Sequence, residues 1–359
     1  MASHLNVTDD WTKKMNIDVH GHYTTAPRQL SEWRKRQLAT FGSSGGRVSP
    51  DELEISDDEI RTTIEEGQLV LQRERETDVT LFSPTAGGMA HHEGDEQTSK
   101  DWTRVVNDLI DRVCGLFPES FVGVGQLPQS PGVDPARSIP ELERIVNGLG
   151  FVAVNLNPDP SDGYWTGPAI TDPSFYPLYE KMVELEVPAM LHVSTSCNPV
   201  FAPATAAHYI NGDVTAFVNL ATSDLFKDFP TLKFVLPHGG GAVPYHWGRY
   251  RGIMLQTDRG ELSDRVLNNV FFDTCVYWQQ GIECLVRSLP EDNVLYASEM
   301  IGAVRYRNPD NGRWFDDTKF LLDTMTDLSD SHRKKIMGEN ALRVYPRLRG
   351  VLQDRGYAI

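Results

Sequence analysis

Four histidines and one acid stand where short apolar runs of this 359-residue chain end. His20 and His22 flank Gly21 just after the run 15–19, His192 falls within 189–193, His238 follows 233–236, and Glu299 follows 294–297. Residues two apart on a strand point to the same side, so both imidazoles of the first pair can reach one ion. With His192 and Glu299 they form a set of three neutral nitrogens and a carboxylate. Such a set suits one Zn2+ per chain, or Mn2+ or another divalent ion, with an exchangeable water. His238 is left free to act on that water or on a substrate, and Glu299 shares the acid–base work. Arg249 and Arg305 lie a few residues beyond strand ends and can form two-pronged pairs with a carboxylate substrate. Asn198 and Tyr209, after His192, are candidate polar contacts; His91 and His92 are further candidates in the second loop. Asp273 is a candidate orienter or helix cap.

Eight apolar runs position these groups: 15–19, 79–83, 121–125, 151–156, 189–193, 233–236, 270–273 and 294–297. Most are continuous rather than alternating, as in parallel strands covered on both faces. Helical segments lie between most of them. Ser56 and Glu59 form a capping box ahead of Ile60 and Ile64, and Asp172-Pro173 reads as a cap with proline at the first helical position. Leu142, Ile145, Val146 and Leu149 make a helical face stopped at Gly150. This alternation predicts an α/β fold, a (β/α)8 TIM barrel spanning 15–359 as one domain, with a C-terminal helical segment, 329–352, packed on its exterior. Residues 1–14 read as a disordered extension and 42–50 as a mobile Gly/Ser-rich loop. An open doubly wound sheet fits less well, since no GxGxxG or Walker-type loop is present.

Ser44 in Gly42-Ser43-Ser44-Gly45-Gly46 fits G-x-S-x-G, and His238-Gly239-Gly240-Gly241 resembles an esterase oxyanion loop. No strand precedes that serine, however, and the glycine loop follows it instead of preceding it, which excludes the reading. The triple glycine is better explained by close approach of backbone to the site.

Lys and Arg number 34 against 50 Asp and Glu, for a formal net charge of −16. That balance excludes the basic face of a nucleic-acid binder but not a local arginine clamp for a small anion. No apolar run approaches a bilayer-spanning length, and the first residues lack the hydrophobic stretch of a signal peptide. Four cysteines without a CxxC pair make no disulfide framework. The expectation is a soluble cytoplasmic protein without membrane partners.

The segment Ile17-Asp18-Val19-His20-Gly21-His22, with His192, His238-Gly239-Gly240-Gly241 and an acid after the eighth run, resembles the amidohydrolase superfamily. The resemblance is closest to its aminocarboxymuconate-semialdehyde decarboxylase-like branch, and within that to the 4-oxalomesaconate hydratases. It extends from about residue 15 over nearly the whole chain, through Asn155-Leu156-Asn157-Pro158-Asp159-Pro160, Pro237 to Arg249, and Phe271 to Tyr277. It implies zinc on His20, His22 and His192 with Glu299 at or beside the metal, and His238 near the bound water. It also implies Tyr209, Arg249 and Arg305 around substrate carboxylates, and a homo-oligomer, a dimer or larger. Most decarboxylases of this branch carry aspartate, one methylene shorter, where this chain has Glu299. One departure is Thr85, where the hydratases are expected to carry arginine. The implied activity is hydration of an unsaturated oxo-di- or tricarboxylate from aromatic degradation. The alternatives are non-oxidative decarboxylation of an aromatic or muconate-type acid, lactone hydrolysis, and a barrel that only binds.

Overall fold

A computed structural model describes residues 15–359, so the expectation for 1–14 lies outside the described residues. Eight parallel strands follow one another in sequence order: β1 Ile17–His22, β2 Val79–Ser83, β3 Phe121–Gln126, β4 Ala153–Leu156, β5 Ala189–Leu191, β6 Phe234–Leu236, β7 Val270–Asp273 and β8 Val294–Leu295. The seam between β8 and β1 is joined by Val19 N–H to Tyr296 O (3.0 Å) and Glu299 N–H to His20 O (2.9 Å). Helices flank the sheet, giving the (β/α)8 barrel that the apolar runs predict.

The strands present two apolar faces. Phe82, Phe121, Leu156, Leu191, Phe234, Leu236 and Phe272 pack outward with the helices, while Ile17, Val19, Leu81, Val122, Val124, Met190, Val235, Phe271 and Leu295 fill the interior. This two-sided burial is why the runs are continuous rather than alternating.

The interior cluster also contains Ala341, Val344, Tyr345, Leu348 and Leu352. The C-terminal segment is helical, as Asp330–Lys334, a π turn at Lys335–Glu339, Asn340–Val344 and Pro346–Asp354. It does not lie on the barrel exterior as the sequence suggested. Ile336 O accepts from Tyr296 N (2.8 Å), and Gly338 passes so close to Met15 that a Cβ would stand 2.3 Å from its carbonyl oxygen. The segment therefore closes the N-terminal end of the barrel and seals the interior from below.

Residues 42–44, read as loop, instead finish the helix Arg28–Ser44; Gly45 ends it in a left-handed conformation (φ 65°). The caps hold as expected. Ser56 accepts from Glu59 N and Glu59 returns to Ser56 N, starting Asp57–Glu66. Asp172 accepts from Ser174 N where Pro173–Phe175 leads into Tyr176–Glu184.

Candidate active site

β1 carries one irregularity. Its register against β2 runs Asp18 to Thr80 and then Gly21 to Phe82, so one extra residue is accommodated. Ile17 and Val19 face the interior below this bulge. Above it the inward parity passes to His20 and His22, which would otherwise fall on opposite terms with Val19. The bulge thus turns an apolar strand into a pair of imidazoles at the C-terminal mouth, where barrel enzymes place their chemistry.

There His20, His22, His192 and Glu299, all buried, bring one side-chain atom each within 4.8 Å of one another. Every Nδ1 of the three histidines is engaged. That of His20 meets Asp273 Oδ2 (2.7 Å), that of His22 meets Ser83 Oγ (2.7 Å) and Pro84 O (3.1 Å), and that of His192 meets Val193 O (2.7 Å). Carboxylate and carbonyl acceptors fix the Nδ1–H tautomer, so the three Nε2 lone pairs are left for something else. His20 and His22 point theirs at each other across 2.8 Å, and His192 Nε2 is buried without a partner. Converging, unshared lone pairs beside a carboxylate repel unless a cation lies among them. The donor set fits a divalent metal ion. Burial, reinforced by neighbouring imidazoles, pushes His22 and His192 well below the ordinary histidine range, keeping them neutral as ligands require.

His238 stands apart from this set. Its Nδ1 meets Asp213 Oδ2 at 3.0 Å, and its Nε2 has no hydrogen-bond partner but lies 3.9 Å from Glu299 Oε2. Burial opposes its charge, but the Asp213 carboxylate and hydrogen bond, then Glu299, outweigh it and raise His238. Glu299 Oε2 accepts from the Tyr277 hydroxyl at 2.6 Å. His238 and Glu299 both adopt left-handed backbone (φ 52° and 50°), a strain that non-glycine residues tolerate where surroundings impose it. Those surroundings are visible. Gly239, Gly240 and Gly241 also have positive φ, and a Cβ on Gly240 would lie 2.5 Å from Phe272. Gly239 N–H donates to Asp273 Oδ1 (3.0 Å), so the carboxylate that aims His20 also fixes the backbone after His238.

Tyr209 lies in the site, edge-on to His192 with ring centroids 5.1 Å apart and 5.4 Å from His238. Asn198 makes its side-chain contacts within the loops. Its Oδ1 accepts from Val200 N (3.1 Å) and its Nδ2 donates to Gly163 O (2.9 Å), tying the β5 loop to the β4 loop. Arg305 is exposed at the mouth, donating to Ile301 O (3.0 Å) and Thr24 O (3.4 Å). Arg249 is exposed on the helix Trp247–Gln256, its guanidinium without a hydrogen-bond or ion-pair partner among the described residues. The adjacent histidines diverge. His91 is buried with Nδ1 2.9 Å from Ser99 Oγ, whereas His92 reaches Asp162.

Sequence reasoning missed Asp213 and Tyr277. Asp213 follows Tyr209 by one helical turn within His208–Thr222, so both project from one face. Tyr277 lies four residues past Asp273 at the end of β7, a position the strand-end rule could have included.

The amidohydrolase family profile matches residues 17–347. The chain belongs to this family. It is 53% identical over 342 residues, 95% of this chain and 99% of the other, to the 2-keto-4-carboxy-3-hexenedioate hydratase of a Sphingobium species. It also resembles the crystal structure of 4-oxalomesaconate hydratase from Rhodopseudomonas palustris, with a TM-score of 0.89, 53% identity, and 95% and 99% of the two chains covered. The gamma-resorcylate decarboxylase of a Polaromonas species is 26% identical over 290 residues, covering 74% of this chain and 82% of that one. Among the described residues no helix is long and apolar enough to cross a membrane.

Proposed function

We propose that this protein is a zinc-dependent hydro-lyase that adds water across the carbon–carbon double bond of an unsaturated oxo-di- or tricarboxylate such as 4-oxalomesaconate. The observation that carries the reading is the 53% identity to a hydratase across nearly the full length of both chains, against 26% to a decarboxylase. His20, His22 and His192, with Glu299 beside them, would hold the ion, which when bound supplies Lewis acidity and activates water at neutral pH.

The reaction places hydroxyl on one alkene carbon and a proton on its neighbour, so two proton movements are needed. Glu299 carries the proton exchanged with carbon. The Tyr277 hydroxyl bonded to Oε2 fixes the carboxylate's rotamer, so the proton is delivered from one place. His238 holds or releases a proton at Nε2, and Asp213 at Nδ1 maintains the ring's orientation and stabilises its charged form. Arg305 and Arg249 bind the carboxylates whose charge grows as the enolate develops. Such a substrate is a small anion, and the enzyme acts as a homo-oligomer in the cytoplasm.

Glu299→Gln keeps size and one ligand oxygen but removes the acid. Metal content should stay near one ion per chain and turnover should fall by roughly 10²-fold or more. Unchanged turnover in that variant would remove Glu299 from the proton path. Arg305→Lys and Arg249→Lys should each lower kcat/KM, by a loss of about 2–4 kcal/mol of transition-state stabilisation where the bound substrate desolvates the pair, because a point ammonium cannot reproduce a two-pronged contact. Wild-type kcat/KM in both variants would place the arginines outside the site.

A further inference from the structure

On the rim of the same mouth a third histidine–carboxylate pair joins two loops, and a serine from another strand end supports it. His92, in the loop after β2, has a buried Nδ1 that lies 2.9 Å from Asp162 Oδ2, an ion contact off the ideal hydrogen-bond line. Asp162, after β4, is fully buried, and its other carboxylate oxygen accepts from the Ser194 hydroxyl. Ser194 follows His192 by two residues, which ties this pair to the strand end that supplies a metal ligand. Asp162 is also held in left-handed backbone (φ 51°), and its carbonyl accepts from Cys197 N (3.1 Å).

The loop bearing His92 passes beside Tyr209. A Cβ at Gly87 would lie 3.4 Å from the Tyr209 hydroxyl, and Tyr209 packs edge-on to His192. The imidazole side chain is 25% exposed. Since Nδ1 is buried, that exposure belongs to the remainder of the ring, including the Nε2 edge. A neutral hydrogen-bonding residue would suffice to tie two loops together. Here instead a fully buried carboxylate, costly without a cation, is aimed at an imidazole whose far edge is open. The charged groups around His92 are Asp162 and Glu93, which favour its protonated form, and Arg34, which opposes it; the Asp162 contact is the largest influence and the net direction is upward.

We propose that His92 is a carboxylate-binding residue at the rim of the catalytic mouth, oriented by Asp162 and Ser194, taking a substrate carboxylate remote from the metal-ligand cluster. The inference rests on the polycarboxylate reading of the site. It makes His92 a substrate-contacting group and Asp162 a positioning residue. It also gives the loop after β2 a cationic donor, whereas the hydroxyl of Thr85 earlier in that loop is occupied in donating to Tyr23 O (3.0 Å).

The test uses tricarballylate, a saturated tricarboxylate that cannot be hydrated, and the full-length metal-loaded protein. Calorimetric titration should show binding weakened at least tenfold in His92→Gln, and comparably in Asp162→Asn, with metal content unchanged. For the oxo-tricarboxylate substrate, KM should rise in His92→Gln by more than kcat falls. If either variant fails to fold, the wild-type protein still reports. Diethyl pyrocarbonate modification of His92, read by peptide mass spectrometry, should be suppressed by saturating tricarballylate. Equal tricarballylate affinity in His92→Gln and wild type, absence of wild-type binding, or a modification rate indifferent to tricarballylate would overturn the proposal. A lowered melting temperature with unchanged affinity would make His92 a mere tie between loops. If the wild type binds tricarballylate through His92 yet does not hydrate 4-oxalomesaconate, the hydratase reading falls and this subsite stands. Hydration with His92-independent binding gives the reverse.

Discussion

At the lower end of the barrel Ile17, Val79, Val122 and Leu295 meet Val344, Leu348 and Leu352, all apolar and buried. At the other end of the barrel four imidazoles, Asp273 and Glu299 at the strand ends, with Asp213 on the helix His208–Thr222, are buried as well. The lower end follows ordinary hydrophobic logic, in which each buried atom favours folding. The upper end does the opposite. It buries polar groups, leaves the Nε2 atoms of His192 and His238 without partners, and places His238, Glu299 and Ile301 in left-handed backbone. The difference shows where stability and function are stored: the plug and outer helices stabilise the barrel, and the mouth spends part of that stability to hold donors in a cation-ready array.

The comparison breaks most sharply at the ligand set. His22→Ala removes one Nε2 from the convergence, so bound metal, by elemental analysis, and turnover should be lost together while far-UV circular dichroism stays that of the wild type. Full metal occupancy in that variant would mean the histidines are not the ligands. At the opposite end, Leu348→Ala should cost about 2–5 kcal/mol in denaturant unfolding, through lost burial and a residual cavity, with kcat per folded molecule unchanged. A loss of kcat there would show that the two ends are coupled, contrary to this division.

A smaller effect comes from the periphery. Hydrogen bonds from Ser56 backbone and side chain, then from Gln29, hold Glu59 below its ordinary 4.5. A depressed carboxyl contributes stability that is present above its unfolded value and lost as pH falls through the folded one. Wild type should therefore melt slightly higher than Glu59→Gln at neutral pH, and the two curves should converge in acid. A difference that persists in strong acid would show that the capping box acts without its charge.

Much of this division is legible in the sequence. The strands announce themselves because both faces are apolar, and the site histidines because they end such runs. What was not legible depends on partners distant in the chain. The periodicity of 329–352 reveals an apolar face but not which surface it covers, and that surface proved to be the barrel's lower opening. The bulge in β1 has no sequence mark, since Val19-His20 reads like any strand dipeptide. Residues 42–44 look like loop by composition, yet continue a helix until Gly45 supplies the left-handed turn. Asn198 was read as a substrate contact from its type and position. Its two amide contacts, to Val200 and Gly163, come from the fold of a loop that spacing alone does not specify.

The central claim is the fate of the substrate's double bond, and one measurement addresses it directly. Metal-loaded enzyme is incubated with 4-oxalomesaconate in deuterated water, with the product followed by NMR and carbon dioxide by trapping. Hydration predicts one deuterium at the carbon adjacent to the new hydroxyl-bearing carbon, and no carbon dioxide. Stoichiometric carbon dioxide from a muconate- or benzoate-type acid, with the solvent deuteron at the carbon that lost its carboxylate and no hydration of 4-oxalomesaconate, would contradict it.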